Sequence, residues 1–143
     1  MPIMPVAVTD MNVEKIIREK FRETGSPAKI PLLHKGSFTA TLVTGGVNVN
    51  NLGTQPFLPW AVFEEALSLI VNNGGKAERG DAMQSRLGDP KLPLNSIEGH
   101  IAHTIYQKSV GDSVFRRITP IACILIWAGI CIHKPGELAF LEN

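Results

Sequence analysis

The stretch that decides the fold runs Phe115-Arg116-Arg117-Ile118-Thr119-Pro120, then Ile121-Ala122-Cys123-Ile124-Leu125-Ile126-Trp127-Ala128, then Gly129-Ile130, then Cys131-Ile132-His133-Lys134-Pro135-Gly136-Glu137-Leu138-Ala139-Phe140. Proline is tolerated in the first turn of a helix, where its missing N–H would have no partner. The spacing therefore predicts a helix that starts at Thr119 with Pro120 as its first residue and stops on Ala128-Gly129. Lys134-Pro135-Gly136 is a turn signal between two short alternating segments. A helix followed directly by a two-stranded ribbon is the order of a winged helix. That architecture binds and carries no reactive groups of its own.

Working back from this segment, Asn95 or Ser96 is placed to cap a helix reaching about Gln107. Ile97, Ile101 and Ile105 line one side of it, with His100, His103 and Gln107 opposite. Residues 78–87 suggest a shorter helix ending at Gly88, with Ala82, Met83 and Leu87 inward. Trp60, Phe63, Ala66, Leu67, Ile70 and Val71 form an amphipathic helical stripe that Asn73-Gly74-Gly75 closes, with Pro59 as its first residue. Ser37–Val43 alternates in the manner of a strand, Thr44-Gly45-Gly46 turns the chain, and Val47 and Val49 continue a second strand. Residues 9–24 read as a helix capped by Thr9 or Asp10, with Val13, Ile16, Ile17 and Phe21 as its stripe. The fold class predicted is α+β. An N-terminal helix and β-hairpin arm over 1–58 leads into a winged-helix (helix-turn-helix-like) domain over 59–143 that ends in a β-hairpin wing.

A hydrophobic content of 44% with 19% charged residues gives enough apolar surface for a core and excludes a disordered chain. The formal charge of +1 is nearly neutral and is spread without a charge run, which counts against tight, purely electrostatic binding to nucleic acid. Cys123 and Cys131 both lie in apolar sequence and read as small buried hydrophobes of a reducing compartment. The start, Met1-Pro2-Ile3-Met4, lacks the basic region and long apolar core of a signal peptide. Residues 118–132 fall short of the ~20 apolar residues of a membrane span. No membrane association is expected, and the location expected is cytoplasmic.

His100 and His103 with Glu98 raise the question of a metal. Two imidazoles at i,i+3 make a half-site, but no third His or Cys stands at a suitable spacing, and no metal or other cofactor is expected. There is no Gly-x-Ser-x-Gly elbow, and Gly74-Gly75-Lys76 lacks the remaining residues of a phosphate loop. The chain is read as non-enzymatic. The constellation that suits binding is His100, His103, Gln107, Lys108, Arg116 and Arg117, whose donors fit phosphate oxygens or base edges. Ile126 and Trp127, at the end of the last helix, are candidate interface anchors.

Arg117-Ile118, Leu125, Ala128-Gly129-Ile130 and Lys134-Pro135-Gly136 together resemble the N-terminal winged-helix domain of Mrr-type restriction proteins, over roughly residues 60–143. The resemblance implies a DNA-binding regulator or restriction-related accessory protein with duplex DNA as partner. Nothing like a separate endonuclease domain fits into residues 1–58. One departure stands out: residues 121–127 are apolar all round, where a helix reading the major groove has a polar side. Such a helix packs against residues 1–58 or another subunit. The alternative reading is therefore a protein-interaction or homo-oligomerisation module, and a metal-dependent enzyme is a third.

Overall fold

A computed structural model describes residues 12–141. Helix α1 covers Val13–Thr24 and buries Val13, Ile17 and Phe21. Its cap is Asn12, whose Oδ1 accepts from the Lys15 N–H at 3.0 Å. Thr9 and Asp10, the caps expected from the sequence, lie outside the described residues. At the other end Gly25, at φ +96°, carries the N–H that returns to Phe21 O and stops the helix.

Four antiparallel strands follow: β1 (Ala28–Pro31), β2 (Ser37–Val43), β3 (Gly46–Val49) and β4 (Phe57–Pro59), in the order β1-β2-β3-β4. The expected hairpin is β2–β3, closed by Val43 opposite Gly46. Phe38 and Ala40 point into the core, as the alternation requires. Gly46 has to be glycine for a packing reason. A Cβ there would stand 2.1 Å from Leu58 O on the neighbouring strand. Strands β1 and β4 were not anticipated, so the N-terminal segment is a helix and a four-stranded sheet rather than a helix and hairpin.

Helix α2 (Trp60–Asn72) begins after Pro59, which is the N-cap in extended conformation and not the first helical residue. The chain leaves α2 through Asn73-Gly74-Gly75, where Asn73 N–H returns to Leu69 O and Gly75 N–H to Ile70 O. Then come β5 (Lys76–Glu78), α3 (Ile97–Thr104), α4 (Ile118–Trp127), β6 (Cys131–Lys134) and β7 (Glu137–Phe140). The last two strands are the expected ribbon after the last helix. Strand β5 joins them in a second antiparallel sheet, ordered β5-β7-β6.

Three expectations need correction. Residues 78–87 form no helix. Glu78 belongs to β5, Gly80 and Gly88 sit at positive φ, and Asp81 Oδ1 draws in the Met83 and Gln84 N–H groups as a local turn. Helix α3 ends at Thr104, short of Gln107. Gln107 lies at φ +58°, and the Lys108 N–H turns back to Ala102 O. Helix α4 starts at Ile118, which makes Pro120 its third residue. Pro120 remains within the first turn, where a missing N–H breaks no intrahelical bond.

One hydrophobic core joins both segments: Ile17 and Phe21 of α1, Ile30 and Val47 of the first sheet, Phe63 and Ile70 of α2, and Ile121 to Leu125 of α4 are all in it. Helix α4 packs on β1, α2 and β6. The apolar rod is thus covered by residues of its own chain, and the sheet of residues 28–59 is what receives it. A smaller cluster of Leu87, Leu92, Ala102 and Val114 holds the long β5–α3 connection in place.

Candidate functional site

The joint between α3 and α4 carries two buried charged residues. Ser96 caps α3, its Oγ accepting from the Gly99 N–H at 3.1 Å, and this fixes the first turn, where Glu98 points inward. Glu98 is 1% exposed, and its Oε1 accepts from the Arg117 N–H at 2.8 Å and the Ile118 N–H at 2.9 Å. Helix α4 has no capping side chain of its own, so the carboxylate from α3 satisfies its N-terminal donors. Burial pushes the Glu98 carboxyl up to about 7, against the two backbone hydrogen bonds and the charges of Arg117 and Arg116, which pull it down.

Arg117 is only 5% exposed. Its guanidinium lies 3.6 Å from the Tyr106 ring centre and 4.8 Å from that of Phe115. Nη2 donates to Gln55 Oε1, which ties the N-terminal segment to this joint, and Nε has no partner. The guanidinium is thus engaged within the fold, and its opening to solvent is the recess of about 510 Å³ that it lines with Lys108. Arg117 is therefore a largely buried residue rather than one of the set of open surface donors expected from the sequence.

The other residues of that set do not form one patch. His100 is half-buried, with Nε2 2.8 Å from Glu65 Oε1 on α2, an interhelical tie. His103 is exposed and its Nδ1 donates to Lys108 O at 3.0 Å, so these two and the exposed Gln107 stay near the C-terminal end of α3. Arg116 is exposed on a different side and reaches Met83 Sδ at 2.9 Å. Nor are Ile126 and Trp127 open anchors. Both are half-buried, and the Trp127 ring meets Phe21 of α1 at 5.0 Å between centres, with Lys20 Nζ 5.8 Å away over the ring. Among the described residues no group of three or more His, Cys, Asp or Glu side chains is placed to hold a metal ion.

What the fold does bring together is a cleft of about 530 Å³ between the β1–β2 loop, the segment after β5 and the start of α4. Lys35, Arg79 and Arg116 line it, against the single carboxylate of Asp81. That carboxylate is occupied by the turn it forms with Met83 and Gln84. Among the described residues none of the three cations is in an ion pair. Arg79 Nη1 lies 2.9 Å from His133 Nδ1. A guanidinium only donates, so His133 Nδ1 accepts and the imidazole proton sits on Nε2. This bond links the cleft to the β6–β7 ribbon, where His133 and Lys134 are exposed. Sequence reasoning missed Lys35 and Arg79 because nothing in the order of residues places the β1–β2 loop beside the end of β5.

The two thiols are buried and unpaired. Burial raises Cys123 and pushes Cys131 up to about 12, which leaves both as packing groups with no nucleophilic character at neutral pH. No helix among the described residues is long and apolar enough to cross a membrane. No family model, no curated protein and no solved structure gives a significant match to this chain.

Proposed function

We propose that residues 59–143 form a winged helix and that the chain is a small non-enzymatic binding module, which contacts the phosphates of duplex DNA along its ribbon side. The observation that carries this reading is connectivity. The order is helix, strand, helix, helix, strand, strand: the last two strands form a ribbon after the third helix, and the strand between the first two helices pairs with the last strand. The resemblance to Mrr-type winged helices has the same helix-then-ribbon order and supports a regulator or restriction-related accessory role.

The mode of contact departs from base reading. Helix α4, which would enter the major groove, is covered by β1 and α1. The groups left for a phosphate backbone are Lys134 and His133 on the ribbon and Arg79 at its base. Phosphate contacts position a protein without specifying sequence. The alternative, assembly through the apolar face of α4, has less support because that face is occupied within the chain.

Fluorescence anisotropy with labelled duplexes of unrelated sequence tests the reading. The expected outcome is weak binding, Kd on the order of 10⁻⁴ to 10⁻⁶ M, that falls with salt with a slope of about −2 to −3 for a few neutralised phosphates. Lys134→Ala reduces that slope by about one. No retention at low ionic strength, or a strong preference for one sequence, contradicts it.

A further inference from the structure

From the cleft beside α4 we infer a second binding site, for a small organic anion that combines a phosphate or carboxylate head with an apolar body. This goes beyond the DNA contact, with which it shares Arg79, and its test rests on Lys35 and Arg116, which the DNA contact does not use.

Three cations line one cleft with a single carboxylate, and that carboxylate is committed to a local turn. Like charges gathered beside a partly apolar cavity repel one another, and a bound anion offsets that cost. The remaining wall is aliphatic: Leu32, Leu33, Ile118 and Ala122 line the same space. At about 530 Å³ the cleft falls within the range of small-molecule sites, which pair an apolar lining with a few placed polar groups.

Chemistry then selects the head group. Two guanidiniums present planar forks that match the oxygens of a phosphate or carboxylate, and Lys35 adds a point charge. Their present partners are weak or neutral: a thioether sulfur for Arg116 and a neutral imidazole for Arg79. An anionic oxygen displaces the Met83 sulfur at little cost, because Met83 is 67% exposed and its side chain is free to swing aside. Thr119, in the first turn of α4, adds a hydroxyl to the wall. The site lies where the N-terminal sheet, the β5–α3 segment and α4 meet, so an occupant bridges both segments of the chain.

The probes are phenyl phosphate, benzoate, inorganic phosphate and the neutral benzyl alcohol, titrated into the full chain by calorimetry and followed by thermal shift. Phenyl phosphate or benzoate is expected to bind in the micromolar to millimolar range and raise Tm. Inorganic phosphate binds at least tenfold more weakly, and benzyl alcohol not at all. Arg116→Ala and Lys35→Ala, both exposed positions whose truncation leaves the core intact, each weaken the aromatic anion at least tenfold, whereas Lys134→Ala leaves it unchanged. Equal binding of benzyl alcohol, affinity unaltered by both cleft variants, or no heat and no Tm shift with any anion overturns the proposal. Because Lys134→Ala alters DNA binding and spares the cleft, failure of one proposal is distinguishable from failure of the other.

Discussion

Glu98 caps a helix that lies 20 residues further along the chain: its Oε1 accepts the Ile118 N–H at 2.9 Å, and the Arg117 N–H beside it at 2.8 Å. The carboxyl is buried, and burial outweighs these hydrogen bonds in setting its proton affinity. Two helices are thereby held at a fixed joint by one group that titrates near neutrality.

That joint makes stability depend on pH. The carboxyl is raised from 4.5 to about 7 in the folded chain, so its favourable contribution is complete below about 4.5 and is lost as pH rises through 7. The difference corresponds to about 3 kcal/mol. Glu98→Gln keeps an oxygen for the two N–H groups and removes the charge. In urea denaturation the wild type is expected to lose about 3 kcal/mol more than the variant between pH 4.5 and 8. Parallel pH profiles for the two chains contradict this.

Arg117 acts within the fold. Its guanidinium stacks on Tyr106 and holds Gln55, and its charge favours the ionised form of Glu98 more than that of Arg116 does. Arg117→Met is expected to cost about 2–4 kcal/mol at pH 8, where Glu98 is ionised, and distinctly less at pH 5. Binding of duplex DNA by the folded variant stays within twofold of wild type. A large loss of binding with unchanged stability would return Arg117 to the surface role first read from the sequence.

Gly99 reverses an ordinary rule. Glycine to alanine inside a helix normally stabilises by about 1 kcal/mol. Here a Cβ would stand 2.1 Å from Pro93 O and 2.9 Å from Ser96 Oγ, the group that caps α3. Gly99→Ala is therefore expected to lower stability by about 1–3 kcal/mol, read as a lower denaturation midpoint. A raised midpoint removes the tight α3 entry from the account.

The N-terminal segment is integral to the fold. Phe21 is 2% exposed and meets the Trp127 ring edge-on. Phe21→Ala is expected to cost about 3–5 kcal/mol in a single cooperative transition that takes both segments down together. Two separate transitions would show that residues 59–143 stand alone.

Legibility followed the range of the signal. Gly129 and Pro135-Gly136 mark the end of α4 and the ribbon by local backbone rules, and the Trp60–Val71 stripe marks α2 in the same way. Ala82, Met83 and Leu87 imitate a helical stripe, but Asp81 and Gly80 turn the chain locally, and Glu78 is taken by β7. Strands β1, β4 and β5 are three or four residues long and exist only through their partners, so no periodicity reveals them. The candidate site was least legible. His100 finds Glu65 across 35 residues, Arg117 finds Gln55 across 62, and the cleft cations come from three separate segments. The apolar character of residues 121–127 did announce a covered helix, though it left open whether the cover was the chain's own sheet.

Hydrogen–deuterium exchange of the full chain, with and without a saturating duplex, tests the central claim most directly. A covered α4 and a ribbon contact predict slow exchange over Ile121–Trp127 that duplex DNA leaves unchanged, with added protection confined to the β6–β7 ribbon and the end of β5. Fast exchange in α4 of the free chain, or DNA-induced protection centred on that helix, would contradict it.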